Sequence, residues 1–394
     1  MKVLYSPVKA FREILGNPRY IGPILIIIIS LFLTLGTHYI SASKHYVEAI
    51  IPSNRIAWTD MSDPSSMWTS NAPPGNVTAL EAAYEILVGN YTVRALLYNS
   101  SEIWLRTTDI GTINCSEFKT FYYKLRYLHI TLLLNASIAK LRLFSLRNES
   151  NYFEFDLLPL SRGYLNTSQA WIDANISLGE GASGWVQGSQ QANWENITGI
   201  EFRLTFSERG RLSFQLNDLY FGGAYEPLFD AMGFADWLFL TLITSFFDIF
   251  LKWVILAGIL WLTIKTFHSE GSPFRTLLII VGYMFVIMFV YVPIDMLSVS
   301  QLSPLYFPYR AVFPGSAREI AVSSTITGNI YAANWTLAAP YSVFVVVWYV
   351  SHVWTIGLCT IALKLLQPFS WKKAAAISLV AYVMALVLRA MIPL

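Results

Sequence analysis

Five apolar runs, each long enough to cross a hydrocarbon layer, limit what this chain can fold into. They lie at Ile21–Ile40, about Phe246–Phe267, about Arg275–Val299, Tyr341–Leu366 and Lys373–Ile392. A helix needs roughly 20 apolar residues to span a bilayer core, and the first run holds no Lys, Arg, Asp or Glu. The second is preceded by a further apolar stretch, Phe234–Thr244, so its start is the least defined. Only 13% of the residues are charged, against about 25% in soluble domains. The runs predict a bundle of five transmembrane helices, and a net charge of +2 is too small to argue for a nucleic-acid partner. A cleaved signal peptide ending near Ile40-Ser41-Ala42 is the competing reading of the first run.

Basic residues set the orientation. Lys2, Lys9, Arg12 and Arg19 precede the first run, Lys265 and Arg275 flank the second link, and Lys364, Lys372 and Lys373 flank the fourth. Short basic loops stay in the cytoplasm, which puts the N-terminus inside and the C-terminus outside. Acceptor sequons then fall on one side. Asn76, Asn90, Asn99, Asn114, Asn135, Asn148, Asn166, Asn175 and Asn196 lie between the first two runs, and Asn334 lies in the only other external loop, 300–340. N-glycosylation occurs on the translocated side. The expected organisation is a cytoplasmic amphipathic leader (1–20), a first transmembrane helix (21–40), an N-glycosylated extracellular domain (41–232) and a membrane domain with four further helices (233–394). The two cysteines, Cys115 and Cys359, fall in different domains and are not expected to pair. Many sequons without a disulfide framework fit an archaeal cell surface better than a secreted animal domain.

The leader reads as a short helix. Ser6-Pro7 is a start signal, Val8, Phe11, Ile14 and Leu15 share one face, and Gly16 with Asn17-Pro18 is a stop. It is expected to lie at the inner interface as an anchor, or to dock a partner.

In the middle segment the apolar period changes to two. Leu141, Leu143 and Ser145 alternate with Lys140, Arg142 and Phe144; Phe202, Leu204 and Phe206 alternate with Glu201, Arg203 and Thr205. Leu212, Phe214 and Leu216 continue the pattern, and the phase then slips to Leu219 and Phe221, which predicts a β-bulge at Asn217-Asp218. Val77–Leu87 reads as a short helix from the spacing of Ala79, Leu80, Ala82, Ala83 and Ile86. The expected fold is membrane α + β: five helices with a large extracellular antiparallel β-sandwich inserted after the first.

The run Trp194–Phe202 followed by Leu212–Phe221 resembles the tail of galactose-binding-like jelly rolls. That resemblance implies a structural calcium near the position of Asp218, the one metal expected here; no other cofactor is indicated. Trp171, Trp185 and Trp194 are the candidate ligand-binding aromatics, against the commoner role of core tryptophans.

Removing the middle domain leaves a bundle that resembles the Yip (Ypt-interacting protein) membrane domain. The matching residues are Ser6-Pro7, Phe11, Ile14 and Asn17-Pro18; Trp261-Leu262 and Lys265–Phe267; Gly271–Arg275; Gly282-Tyr283; and Ser370–Ala375. The resemblance implies five spans, a cytoplasmic N-terminus and roles in membrane organisation through protein partners.

Polar residues mark the spans: Asp248 and Lys252, spaced i,i+4 to pair, and His352 are the candidates, with Asp295 near the outer end of the third run. No GxSxG, HExxH, Walker A or GxGxxG motif occurs. The expectation is a non-catalytic multi-pass membrane protein that displays its outer domain to a protein partner of the membrane or cell envelope, or to a glycan. The alternatives are a transporter or transport accessory, and a membrane-anchored carbohydrate-active enzyme.

Overall fold

A computed structural model describes residues 2–73, 75–81, 87–158, 170–267, 274–336 and 338–392. Its contacts divide the chain into two units. A helical unit comprises Met1–Tyr46, Pro227–Leu305 and Asn329–Leu394, and a β unit comprises Val47–Glu226 and Tyr306–Gly328.

The helical unit begins with α1 (Lys2–Tyr5) and α2 (Pro7–Gly16). Pro7 occupies the first turn of α2, where a missing N–H is harmless, and the backbone N–H of Asn17 closes the last turn on the carbonyl of Ile14. Phe11 is fully buried and Ala10 nearly so, within the same core as Leu260, Leu277 and Leu363. The apolar face of the leader is therefore docked on its own bundle.

The long helices are α3 (Ile21–Ala42), α5 (Phe234–Phe267), α6 and α7 (Phe274–Met284 and Met288–Ser300, joined by a 3-10 turn at Phe285–Ile287), α10 (Ala339–Leu366) and α11 (Trp371–Ala390); a short α4 (Leu228–Met232) precedes α5. Among the described residues, five helical stretches are long and apolar enough to cross a membrane, with α6 and α7 forming one of them. The stretch Phe234–Thr244 is continuous with the second run, giving one 34-residue helix about 50 Å long. The third run passes through Pro293 without ending there.

The residues that carried the Yip resemblance have local jobs. Ser370 caps α11 by accepting from the Lys373 N–H at 3.3 Å. Gly282 lets α6 approach α3: a Cβ there would stand 2.6 Å from the Cβ of Pro23, and one at Gly22 would meet the ring and hydroxyl of Tyr283. Gly271, Ser272 and Pro273 lie outside the described residues.

The β unit is built on β1 (His45–Ile51), β2 (Thr69–Ser70), β3 (Val77–Glu81), β4 (Tyr91–Thr107), β5 (Thr120–His129), β6 (Ile138–Ser145), β7 (Asn148–Asp156), β8 (Ile172–Ser177), β9 (Trp185–Gln187), β10 (Ile197–Pro227) and β11 (Leu305–Phe307). One path through the sheet runs β11-β1-β10-β6-β7-β9, with β4 and β5 also paired to β10. The strand ladders from β2 to β10 are antiparallel. β10 is the spine. Its first half pairs with β4 and β6, its second half with β4 and β5, and its register breaks near Gly210. The two halves thus bring Phe202 within 6.0 Å of Phe214 and 6.3 Å of Phe121. Leu141, Leu143, Phe202, Leu204, Leu212, Phe214 and Leu216 fill the core, as the period of two predicts.

Val77–Glu81, expected to open a helix, is strand β3, paired residue for residue with Tyr91–Ala95. The alanines gave a helical period, but pairing with a long neighbouring strand overrides so weak a preference. The rest of that expected helix, 82–86, lies outside the described residues. The segment expected as an external loop, 300–340, is also structured. It holds β11, a short helix α8 (Tyr309–Val312) and an 18-residue helix α9 (Ala317–Asn334). Its apolar content was too low to register as a helix on hydropathy, and the residues 306–328 belong to the β unit.

Candidate functional site

The sequon asparagines are mostly on the surface. Asn90, Asn99, Asn114, Asn135, Asn148, Asn175 and Asn334 are exposed, Asn76 and Asn196 are half-buried, and Asn166 lies outside the described residues. Cys115, between two exposed sequon residues, is itself buried and free; burial pushes its thiol up to about 12.

One face of the β unit carries a cluster of charged side chains in adjacent rows. Because residues opposite one another in an antiparallel ladder share a face, the registers align Arg106, Glu201, Arg142 and Glu154 in one row across β4, β10, β6 and β7. Trp104, Arg203, Lys140 and Asp156 form the next row. Glu201 is nearly inaccessible and is the hub: Arg106 Nε lies at 2.9 Å, Arg203 Nε at 3.1 Å and Arg142 Nη1 at 3.7 Å. Arg142 also donates to Glu154 at 2.6 Å, with Lys140 on the other oxygen. Burial alone would raise the Glu154 carboxyl, but those two cations hold it below the usual range. Aromatic rings lie among the charges. The Arg106 guanidinium sits 4.6 Å from the Trp104 ring and 5.6 Å from Phe144, and Arg142 sits 4.7 Å from Tyr152. At the end of this face is a polar recess of about 330 Å³, lined by Thr108, Asp109, Phe144, Arg147, Glu149 and Thr198 among others.

The tryptophans singled out from sequence sit elsewhere. Trp194 is 8% exposed and stacks on Phe153 at 3.8 Å; Trp185 meets Trp194 edge-on at 5.1 Å and donates its indole N–H to the Ser177 carbonyl at 2.9 Å. Trp171 is half-buried just ahead of β8. The ring on the charged face is Trp104, which the alternation Ile103-Trp104-Leu105-Arg106 places among polar neighbours. That alternation was the signal that could have found it.

Asp218 sits at the expected bulge. The β10–β5 register slips between Asn217 and Tyr220, and Asp218 takes φ 53°. Asn217 fastens the bulge by bonding Val88 on both sides. The Asp218 carboxylate, fully buried, receives Arg55 at 2.7 Å, Lys124 at 3.0 Å and Arg310 at 3.1 Å. Glu319 completes the cluster with Arg55 at 2.8 Å and Lys124 at 3.0 Å, and Asp173 binds Arg310 at 2.6 Å. Burial by itself would raise the Glu319 carboxyl, but Arg55, Lys124 and the Gly315 N–H bring it to about 2. Three cations face three carboxylates, so the cluster is neutral. A calcium ion needs six to eight oxygen ligands, whereas Asp218 is ringed by positive charge, so its surroundings do not fit the ion. Among the described residues no group of three or more His, Cys, Asp or Glu could hold a metal.

In the helical unit, Asp248 and Lys252 pair at 2.6 Å as their spacing predicts. Arg389 of α11, missed from sequence, binds the other Asp248 oxygen at 2.8 Å. His352 packs on Trp348, ring centres 3.9 Å apart, and edge-on to Tyr382. Lys252, His352 and Arg389 line one cavity of about 130 Å³.

No protein-family model matches this sequence, and no curated protein does either. Among solved structures, the chain is similar to the family 11 carbohydrate-binding module of the cellulosomal cellulase Lic26A-Cel5E of Clostridium thermocellum, at 12% identity and TM-score 0.29, over 43% of this chain and 94% of that one. It is also similar to TmCBM61 in complex with β-1,4-galactotriose, at 13% identity and TM-score 0.24, over 42% and 91%. A third match is an exo-β-agarase, at 9% identity and TM-score 0.30, over 44% of this chain but 25% of that protein. Scores at this level carry no argument about function, which rests on the chain's own residues.

Proposed function

We propose that this chain is a non-catalytic multi-pass membrane protein whose β unit, a jelly-roll-like β-sandwich outside the cell, binds glycans. The charged face of β4, β10, β6 and β7 is the observation that carries the reading. Adjacent hydroxyls of a sugar ring match the paired donors and acceptors of guanidinium and carboxylate groups, and the apolar side of the ring packs on an aromatic. Arg106, Arg142, Glu154 and Trp104 supply both, beside a recess large enough for a sugar residue. The helical unit is the anchor, a Yip-like five-span bundle with its N-terminus in the cytoplasm. Its support is the basic residues at the helix ends, which lie over aromatic rings as interfacial anchors do: Lys265 over Trp261 at 5.0 Å, Arg275 over Tyr20 at 5.4 Å and Lys373 over Phe369 at 4.8 Å. The sequons belong to the translocated side, and membership of a cell-envelope complex follows from an anchored recognition surface.

The test is a glycan array probed with the full chain in mild detergent. Binding to at least one plant or envelope polysaccharide is expected, reduced at least tenfold by Trp104→Ala or Arg142→Ala with unchanged melting. Equal binding by both variants, or a wild type that binds no glycan, overturns the reading.

A further inference from the structure

We propose that the helical unit holds an anionic lipid, with its phosphate headgroup at Lys252 and Arg389 and its hydrocarbon along the seam of α7 and α10. The inference rests on the helical unit being embedded in a bilayer, and it is separate from glycan binding.

Charge complementarity comes first. Among the described residues, Asp248 is the one carboxylate paired with these two cations: Lys252 Nζ at 2.6 Å and Arg389 Nη2 at 2.8 Å. The group therefore carries one excess positive charge. The Lys252 ammonium has three donors, and its side chain is 48% exposed with one contact to Asp248. Arg389 lies in the last turn of α11, and its Nη1 also bonds the Ile392 carbonyl just beyond the helix end at 2.9 Å. Arg389 is thus level with the end of its helix, where the phosphates of a surrounding bilayer would lie, and Lys252 joins it there through the shared Asp248.

The shape of the neighbouring space supplies the second argument. The cavity of about 130 Å³ behind these cations also carries Ser351, His352, Thr355 and Tyr382, so its wall is polar on one side. The Nδ1 of His352 faces the Trp348 carbonyl at 2.8 Å, which directs its other ring nitrogen away from the helix backbone. Sharing Ile287, Tyr291 and Ser351 with this cavity is a groove of about 330 Å³, lined otherwise by Leu4, Val290, Ile294, Val347, Val350 and Trp354. A largely apolar chamber with two cations and a few polar groups along one side, adjoining an apolar groove, has the two-part chemistry of an amphiphile. A free anion would have no use for the groove, and a zwitterionic lipid would gain less from the excess charge, because its own ammonium offsets its phosphate.

The experiment uses the purified full chain in a nonionic detergent and native mass spectrometry. Dioleoyl phosphatidate, dioleoyl phosphatidylcholine and inorganic phosphate are the probes. Phosphatidate is expected to be retained at least tenfold over phosphatidylcholine, and Lys252→Gln to remove that preference. Asp248→Asn, which raises the local charge, is expected to strengthen phosphatidate retention, a change that a purely structural carboxylate would not produce. Val350→Trp, which fills the groove, is expected to lower phosphatidate retention. Equal retention of the two lipids, wild-type preference in Lys252→Gln, or displacement of phosphatidate by millimolar inorganic phosphate overturns the inference. Alkaline carbonate extraction keeps the anchor reading separate. A protein that washes off the membrane defeats both, whereas a resistant protein without lipid preference defeats this inference alone.

Discussion

Asp218 in the β unit is fully buried with Arg55, Lys124 and Arg310 around it; Asp248 in the helical unit serves two cations and keeps 29% of its side chain exposed. The first carboxylate belongs to a closed set of three cations and three anions, the second to an open set with positive charge to spare. Taking charge out of water costs several kcal/mol per ion, and only a complete, hydrogen-bonded set offsets it. The β unit therefore uses its buried ions to tie separate segments together, with Arg310 and Glu319 arriving from residues far along the chain. The helical unit is held by apolar packing and close helix approach, and leaves Asp248 and Lys252 partly exposed, where a ligand could meet them.

The sharpest way to break this contrast is Asp218→Ala. It strips the shared partner from three cations, and removing one side of a buried ionic set typically costs about 3–5 kcal/mol. A fall in the melting temperature of the full chain, followed by tryptophan fluorescence, is expected. An unchanged melt would mean that the cluster does not hold the unit together.

A smaller loss is expected from Gly282→Val in the helical unit, about 1–3 kcal/mol from overpacking. The new side chain meets the rigid ring of Pro23, 2.6 Å from the position of its Cβ. The measurement is the melting of the helical signal by circular dichroism in detergent. If α3 and α6 tolerate valine, close approach is not what binds them.

The narrowest test, confined to acid conditions, is the pH response of one group. Glu319 titrates at about 2 in the fold, against about 4.3 when unfolded. Its stabilisation is therefore complete above about pH 4.3 and is lost as the pH falls toward 2. Glu319→Gln should flatten the acid limb of the melting profile in that window. An identical limb in wild type and variant would assign acid sensitivity to other carboxylates.

The long apolar helices, the strands at 141–145 and 202–216 and the bulge at Asn217-Asp218 were legible because each is a long apolar run, repeats a local period or interrupts one. The pairing of Asp248 with Lys252 was legible for the same reason, being one helical turn apart. Strand β3 was misread because five residues with a helical spacing of alanines say less than the neighbour they pair with. Trp104 was missed although its alternation with Ile103, Leu105 and Arg106 already put it on the polar side of a strand; only the register shows which charges share that face.

Local order in the sequence settled which segments are helices of membrane length, which are strands, and where one strand slips its phase, since period and hydropathy act over a few residues. The partners of each charge were decided only by tertiary structure. Arg55 meets Glu319 across 264 positions and Asp248 meets Arg389 across 141. Electrostatic pairing depends on distance in space, and nothing in the local sequence encodes which distant groups the packed core will bring within 3 Å.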